Sequence, residues 1–183
     1  MSNKEMFVPL SPAELSSCRQ AATFRWQMAR ASGVENQRRD GNRSDEDVDY
    51  LGIRAELAVA KLYSLDYSPH HLGVDDGVDM YCEVTSIDVK STFHTTGKLL
   101  LKSKKFVTAD LYVLVTACSD ESLMRVVGGI TADQFLEHCV EEDLGHGNGL
   151  SLTQDKLAAP SAVWRFLMGK RFLAASKMYE AAA

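Results

Sequence analysis

What this 183-residue chain has little of narrows the possibilities first. Its four cysteines, Cys18, Cys82, Cys118 and Cys139, are widely scattered and form no C-x-x-C pair, so the spacing spells neither a zinc site nor a disulfide framework. No apolar run approaches the ~20 residues that a membrane-crossing helix needs. The opening "MSNKEMFVPL" holds no apolar stretch resembling a secretory leader. These absences predict a reduced, cytoplasmic protein with no membrane partner. Positive charge is not in excess either: 20 Lys and Arg against 25 Asp and Glu leave a formal charge of −5. That balance argues against a chain that coats DNA indiscriminately, while leaving room for a local basic surface. Neither G-x-x-x-x-G-K-[ST] nor G-x-G-x-x-G occurs, so a glycine-built nucleotide cradle is unsupported.

What is present suits one domain long enough to bury a core. "SPAEL" predicts a helix with Ser11 as N-cap, Pro12 at the first helical position and Glu14 closing a capping box, running to about Ala31. A polar stretch, "SGVENQRRDGNRSDEDVD", reads as a long loop. Ser44 with Asp47 opens a second helix, about 46–64, whose Val48, Leu51, Ala55, Ala58, Val59 and Leu62 recur at helical spacing. Then the pattern shortens. "MYCEV", "SIDVKSTF", "DLYVLVTA" and "LMRVVGGI" read as strands, with a turn at Thr96-Gly97. "DLYVLV" is almost wholly apolar, as a strand covered on both faces would be. Thr131 with Gln134 predicts a further helix to about Cys139, "EEDLGHGNGL" reads as a loop, and 161–180 as a final helix. Tyr50, Tyr63, Trp26 and Trp164 are read as core, since nothing in their spacing resembles the aromatic platform of a single-strand binder. The sum is a mixed α/β domain with a central sheet.

Chemistry concentrates around "SIDVKST". Side chains alternate along a strand, so Ile87 and Val89 face one way and Asp88 and Lys90 the other. Taken alone, D-x-K describes many solvated strands. Here a hairpin between "MYCEV" and "SIDVKST" would bring Asp79 beside Asp88, because adjacent strands lie only ~4.8 Å apart. Glu56, in "GIRAELAVAKLY", sits on a helix whose apolar stripe should pack on the same sheet. Three carboxylates and a lysine then converge, a donor set that suits Mg²⁺ or Mn²⁺ and phosphoryl chemistry.

In order, "GIRAELAVAKLY", "GVDDGVD", "SIDVKST", "ADLYVLV" and "GGITADQF" resemble the PD-(D/E)xK phosphodiesterase superfamily over about residues 46–140. The resemblance implies a restriction-endonuclease-like core: a central mixed sheet flanked by helices, with extra N- and C-terminal helices. On this reading the chain is a single domain over 1–183, with segments 1–45 and 141–183 as additions. It further implies that Glu56 is the helix acid, Asp79 the first motif acid, and Asp88 with Lys90 the second acid and the lysine. Glu56, Asp79, Asp88 and the Val89 carbonyl would hold Mg²⁺ or Mn²⁺, and Lys90 would assist the attacking water. The proline of the motif's name is absent, Val78 preceding Asp79, and Asp75 and Asp76 are rivals for the first acid.

Two basic groups can meet a phosphate backbone: Arg30, Arg38, Arg39 and Arg43, and Lys98, Lys102, Lys104 and Lys105 just downstream of the site. Among the histidines, His70-His71 and His94 lie near the acids, whereas His138 and His146 show no ligand spacing. The expected function is metal-dependent hydrolysis of DNA phosphodiester bonds, with DNA as partner and a homodimer or a protein partner in addition. The alternative is an inactive chain of the same fold that binds DNA or a protein; degenerate relatives usually lose an acid or the lysine, and here all four positions are filled.

Overall fold

The computed structural model describes residues 5–31, 43–70, 77–145 and 147–182. Three helices open on the caps that the sequence predicts. Helix α1 (Pro12–Ala31) starts at Ser11, whose N–H donates to the Glu14 carboxylate at 2.7 Å while its hydroxyl accepts from the Glu14 N–H. Helix α2 (Asp45–Tyr63) has the full reciprocal box between Ser44 and Asp47. Helix α3 (Ala132–His138) is capped by Thr131, and α4 (Pro160–Ala182) follows a Pro at its first position.

The strands form two sheets. The larger runs β1-β6-β5-β3-β2, made of β1 (Met6–Pro9), β2 (Met80–Cys82), β3 (Thr85–Thr92), β5 (Leu111–Ala117) and β6 (Leu123–Thr131). Its pairs are antiparallel except β3 with β5, so the sheet is mixed. The smaller, antiparallel sheet runs β4-β8-β7, from β4 (Leu99–Leu101), β7 (Val140–Asp143) and β8 (Asn148–Leu152).

Period-2 alternation sorts the side chains of the large sheet into two cores. Ile87, Val89, Val113, Val115, Met124 and Val126 pack with Leu51, Ala55, Ala58 and Val59 of α2 and with Val163 and Leu167 of α4. On the other face, Tyr112, Leu114, Val127 and Ile130 meet Leu99, Leu101, Leu150 and Leu152 of the small sheet and Phe135 of α3. Strand β5 thus contributes to both cores, which explains its near-continuous apolar sequence. Helix α1 lies on α2 through Cys18, Ala21 and Ala22 against Tyr50 and Ile53, the two alanines allowing close approach. The adjacent Gly128-Gly129 has a similar function: a Cβ on Gly128 would stand 2.2 Å from the Ala158 carbonyl oxygen, and Gly129 bridges Ala158 in both directions.

Two expectations are corrected. "EEDLGHGNGL" is not a plain loop but holds most of β7 and the start of β8; the β7 residues are mostly exposed, so no apolar alternation marks them. Strands β1 and β4, of four and three residues, are too short to show a period in the sequence. Trp164 is 48% exposed, because Val163 and Leu167 take the inward face of α4, whereas Tyr50 and Tyr63 are buried as expected and Trp26 is half-buried. Among the described residues, no helix is long and apolar enough to cross a membrane.

Candidate active site

The hairpin joining β2 to β3 turns at Glu83-Val84 and sets Met80 opposite Ile87. Asp79, one step before β2, therefore lies across from the next residue of β3, Asp88. Its N–H donates to the Ile87 carbonyl at 2.9 Å, and its Oδ2 accepts the Val89 N–H at 2.6 Å. Strand β3 outruns β2 here, so a carboxylate, rather than another strand, closes the Val89 N–H. Within a strand the N–H and C=O of one residue point to the same side, so the Val89 carbonyl is directed to this same edge.

Asp88 and Lys90 share one strand face, as the alternation requires. Asp88 is 3% exposed, and its Oδ2 lies 2.7 Å from the Lys90 ammonium, which is itself about one-third exposed. A buried carboxylate needs such a partner. From the helical layer comes Glu56, also buried, between the wholly buried Ala55 and Ala58. Its Oε2 accepts the Tyr67 hydroxyl at 2.6 Å and stands 3.6 Å from Arg25 Nη2. Arg25 follows the buried Ala21 by one helical turn, which points it at α2; Tyr67 arrives just after the left-handed C-cap Ser64.

The electrostatics tie these groups together. The Asp79 carboxyl is pushed up to about 8, first by burial, then by the charges of Glu56 and Asp88; the Val89 N–H and the Lys90 ammonium pull it partway back. Asp79 thus feels an acid from each face of the sheet. Burial, then the adjoining Glu56 charge, drives the Tyr67 phenol far above its usual range, so it stays a proton donor. For Arg25, burial works against the charge, but Glu56 above all offsets it, and the guanidinium holds its proton more tightly than usual.

The four predicted residues therefore meet around Asp79, and Arg25 and Tyr67, which no motif marks, join them. Both reach Glu56 by tertiary contact, Arg25 from the neighbouring helix and Tyr67 from beyond the end of α2, so helical periodicity relates neither of them to Glu56. Among the described residues no three of His, Cys, Asp and Glu stand together as one metal-ligand group. Glu56 instead contacts Tyr67 and Arg25, and Asp88 contacts Lys90.

An open cleft of about 400 Å³ begins at Lys90 and is walled by His94, Lys98, Glu142 and Asp143, among others. Lys98 donates to both Glu142 oxygens, at 2.8 and 2.9 Å, so it joins β7 rather than standing alone. Lys102, Lys104 and Lys105 line a second cleft of about 350 Å³ with Glu141 and Asn148, and Lys102 and Lys105 flank the Phe106 ring. Arg30 packs over Trp26, and Arg43 lies 3.7 Å from the centre of the Phe93 ring, three residues past Lys90. Arg38, Arg39, Asp75, Asp76, His71 and His146 lie outside the described residues. His70 shares a hydrogen bond with Ser17, and His138 is exposed at the end of α3.

The class of protein that emerges is a mixed α/β domain with a buried carboxylate cluster at one edge of its sheet. The chain belongs to a family of unknown function, DUF5843, whose model matches residues 7–126. That span contains all six residues of the cluster, from Arg25 to Lys90, and stops before α3 and the β7–β8 hairpin. No curated protein matches the chain.

Proposed function

We propose that this chain is a metal-dependent nuclease with a restriction-endonuclease-like core, hydrolysing DNA phosphodiester bonds. The observation that carries the reading is the convergence of Glu56 and Asp88 on Asp79 from opposite faces of the sheet, raising its carboxyl to about 8. Carboxylates packed so tightly that one retains its proton are matched to a hard cation, which would relieve the repulsion. The donor set fits Mg²⁺ or Mn²⁺: such ions take one or two carboxylates and keep several waters. Asp79, Asp88 and the Val89 carbonyl would hold the ion, with Glu56 completing the shell from α2. When bound, it would polarise a phosphoryl oxygen and lower the pKa of its water.

The protein groups have separable roles. Lys90, bridging Asp88 and the cleft, would orient the attacking water and offset charge on the phosphate. Lys102, Lys104 and Lys105 would follow the backbone beyond the cleft, whereas Lys98 would have to leave Glu142 to take part. The test is cleavage of supercoiled plasmid and linear single-stranded DNA with Mg²⁺, Mn²⁺ or EDTA, beside Lys90→Ala and Asp79→Ala. Metal-dependent cutting lost in both folded variants supports the nuclease. Unchanged cutting in both removes it, and equal DNA binding in Mg²⁺ and EDTA without cutting would make the chain a binding module.

A further inference from the structure

Resting on that reading, the arrangement of charges points to a more specific property. Three carboxylates, Glu56, Asp79 and Asp88, face two cations, Arg25 and Lys90, so the cluster is neutral while Asp79 keeps its proton and carries one negative charge once all three acids are ionised. The two cations are not held alike. Lys90 Nζ lies 2.7 Å from Asp88 Oδ2, whereas Arg25 Nη2 stands farther off, 3.6 Å from Glu56 Oε2, although the two cations are equally open to solvent. Glu56 has a closer donor in the Tyr67 hydroxyl, at 2.6 Å. A divalent cation that displaces the Asp79 proton leaves one positive charge in excess, the complement of a single phosphodiester. It also competes with Arg25 for Glu56.

We propose that Arg25 is a shared counter-ion, resting on Glu56 in the free protein and passing to a DNA phosphate when Mg²⁺ enters, so that metal and DNA bind cooperatively. A guanidinium suits this exchange, since its planar fork recognises carboxylate and phosphate alike. Helix α1 would then be part of the active site. Coupling between two ligands is reciprocal and typically amounts to 5–150-fold in affinity, so the effect should be measurable from either side.

The experiment titrates Mg²⁺ calorimetrically into the full chain, alone and with a short phosphorothioate oligodeoxynucleotide that resists cleavage. In the wild type the oligonucleotide should tighten Mg²⁺ binding about tenfold. In Arg25→Gln, Mg²⁺ alone should bind about tenfold tighter than in the wild type, and the oligonucleotide should add less than about twofold. Arg25→Lys, which keeps the charge and loses the fork, should fall between and serves as the test if the glutamine variant does not fold. Wild-type Mg²⁺ affinity and coupling in these variants would overturn the inference. If Mg²⁺ binding is then still lost in Asp79→Asn, the nuclease reading stands without it. No Mg²⁺ binding by the wild type, with or without the oligonucleotide, would overturn both.

Discussion

Two regions of the molecule treat charge in opposite ways. At the edge where β2 ends, Glu56 and Asp88 are buried, crowd Asp79, and are matched one to one with Arg25 and Lys90. Across the cleft, Lys98 and Glu142 form a pair of comparable range, 2.8 Å apart, but in the open, each more than a third exposed. Distance alone would rank the two regions as equals. Solvent separates them: an exposed pair exchanges good hydration for a contact of similar worth, whereas buried acids forfeit hydration and depend on whatever the fold supplies. The second region is held by ordinary surface chemistry. The first is a place where the fold bears a cost, and such costs gather at sites of function.

The contrast can be broken experimentally. On the proposed nuclease reading the largest effect expected is on cleavage: Asp79→Asn should lower DNA cutting by about 10²-fold or more, while Lys98→Ala leaves it within about threefold; equal losses would merge the regions.

Next comes pH. Because the Asp79 pKa is raised in the folded state, the folded chain binds more protons than the unfolded one between about 4 and 8. Stability should therefore fall as pH rises through that window. Urea denaturation at pH 5 and pH 8 should show the wild type losing about 1–3 kcal/mol more than Asp79→Asn, which should be the more stable protein at pH 8. Parallel curves would count against the repulsion inferred at Asp79.

A smaller effect should follow from Tyr67→Phe, which removes the hydroxyl from a buried carboxylate and should cost about 1–2 kcal/mol by denaturant midpoint. Smallest of all, Lys98→Ala should leave the midpoint where it was. A measurable drop would mean that the hairpin pair contributes more than its exposure implies.

How much of this was legible in the sequence follows from the same physics. Caps are local, so Ser11, Ser44 and Thr131 mark their helices within four residues. Strand alternation is local too, and it assigned Asp88 and Lys90 to one face; the hairpin then needed only strand spacing to bring Asp79 alongside. What was hidden was either short or exposed. Strands β1 and β4 offer too few residues for a period, and the polar, glycine-containing β7–β8 hairpin has the composition of a loop. Arg25 and Tyr67 were hidden for another reason: what places them at Glu56 is the packing of α1 on α2 and the course of the chain beyond Ser64, neither of which leaves a periodic trace.

Strand β3 extends past its partner, and an uncovered strand border is where a second chain can add itself and begin to aggregate. The Asp79 carboxylate occupies the Val89 N–H that such an intruder would need first, and it carries a charge or a buried proton to the spot. Whatever else Asp79 does, it guards the sheet's border, so variants such as Asp79→Ala should be checked for self-association before any loss is assigned to chemistry.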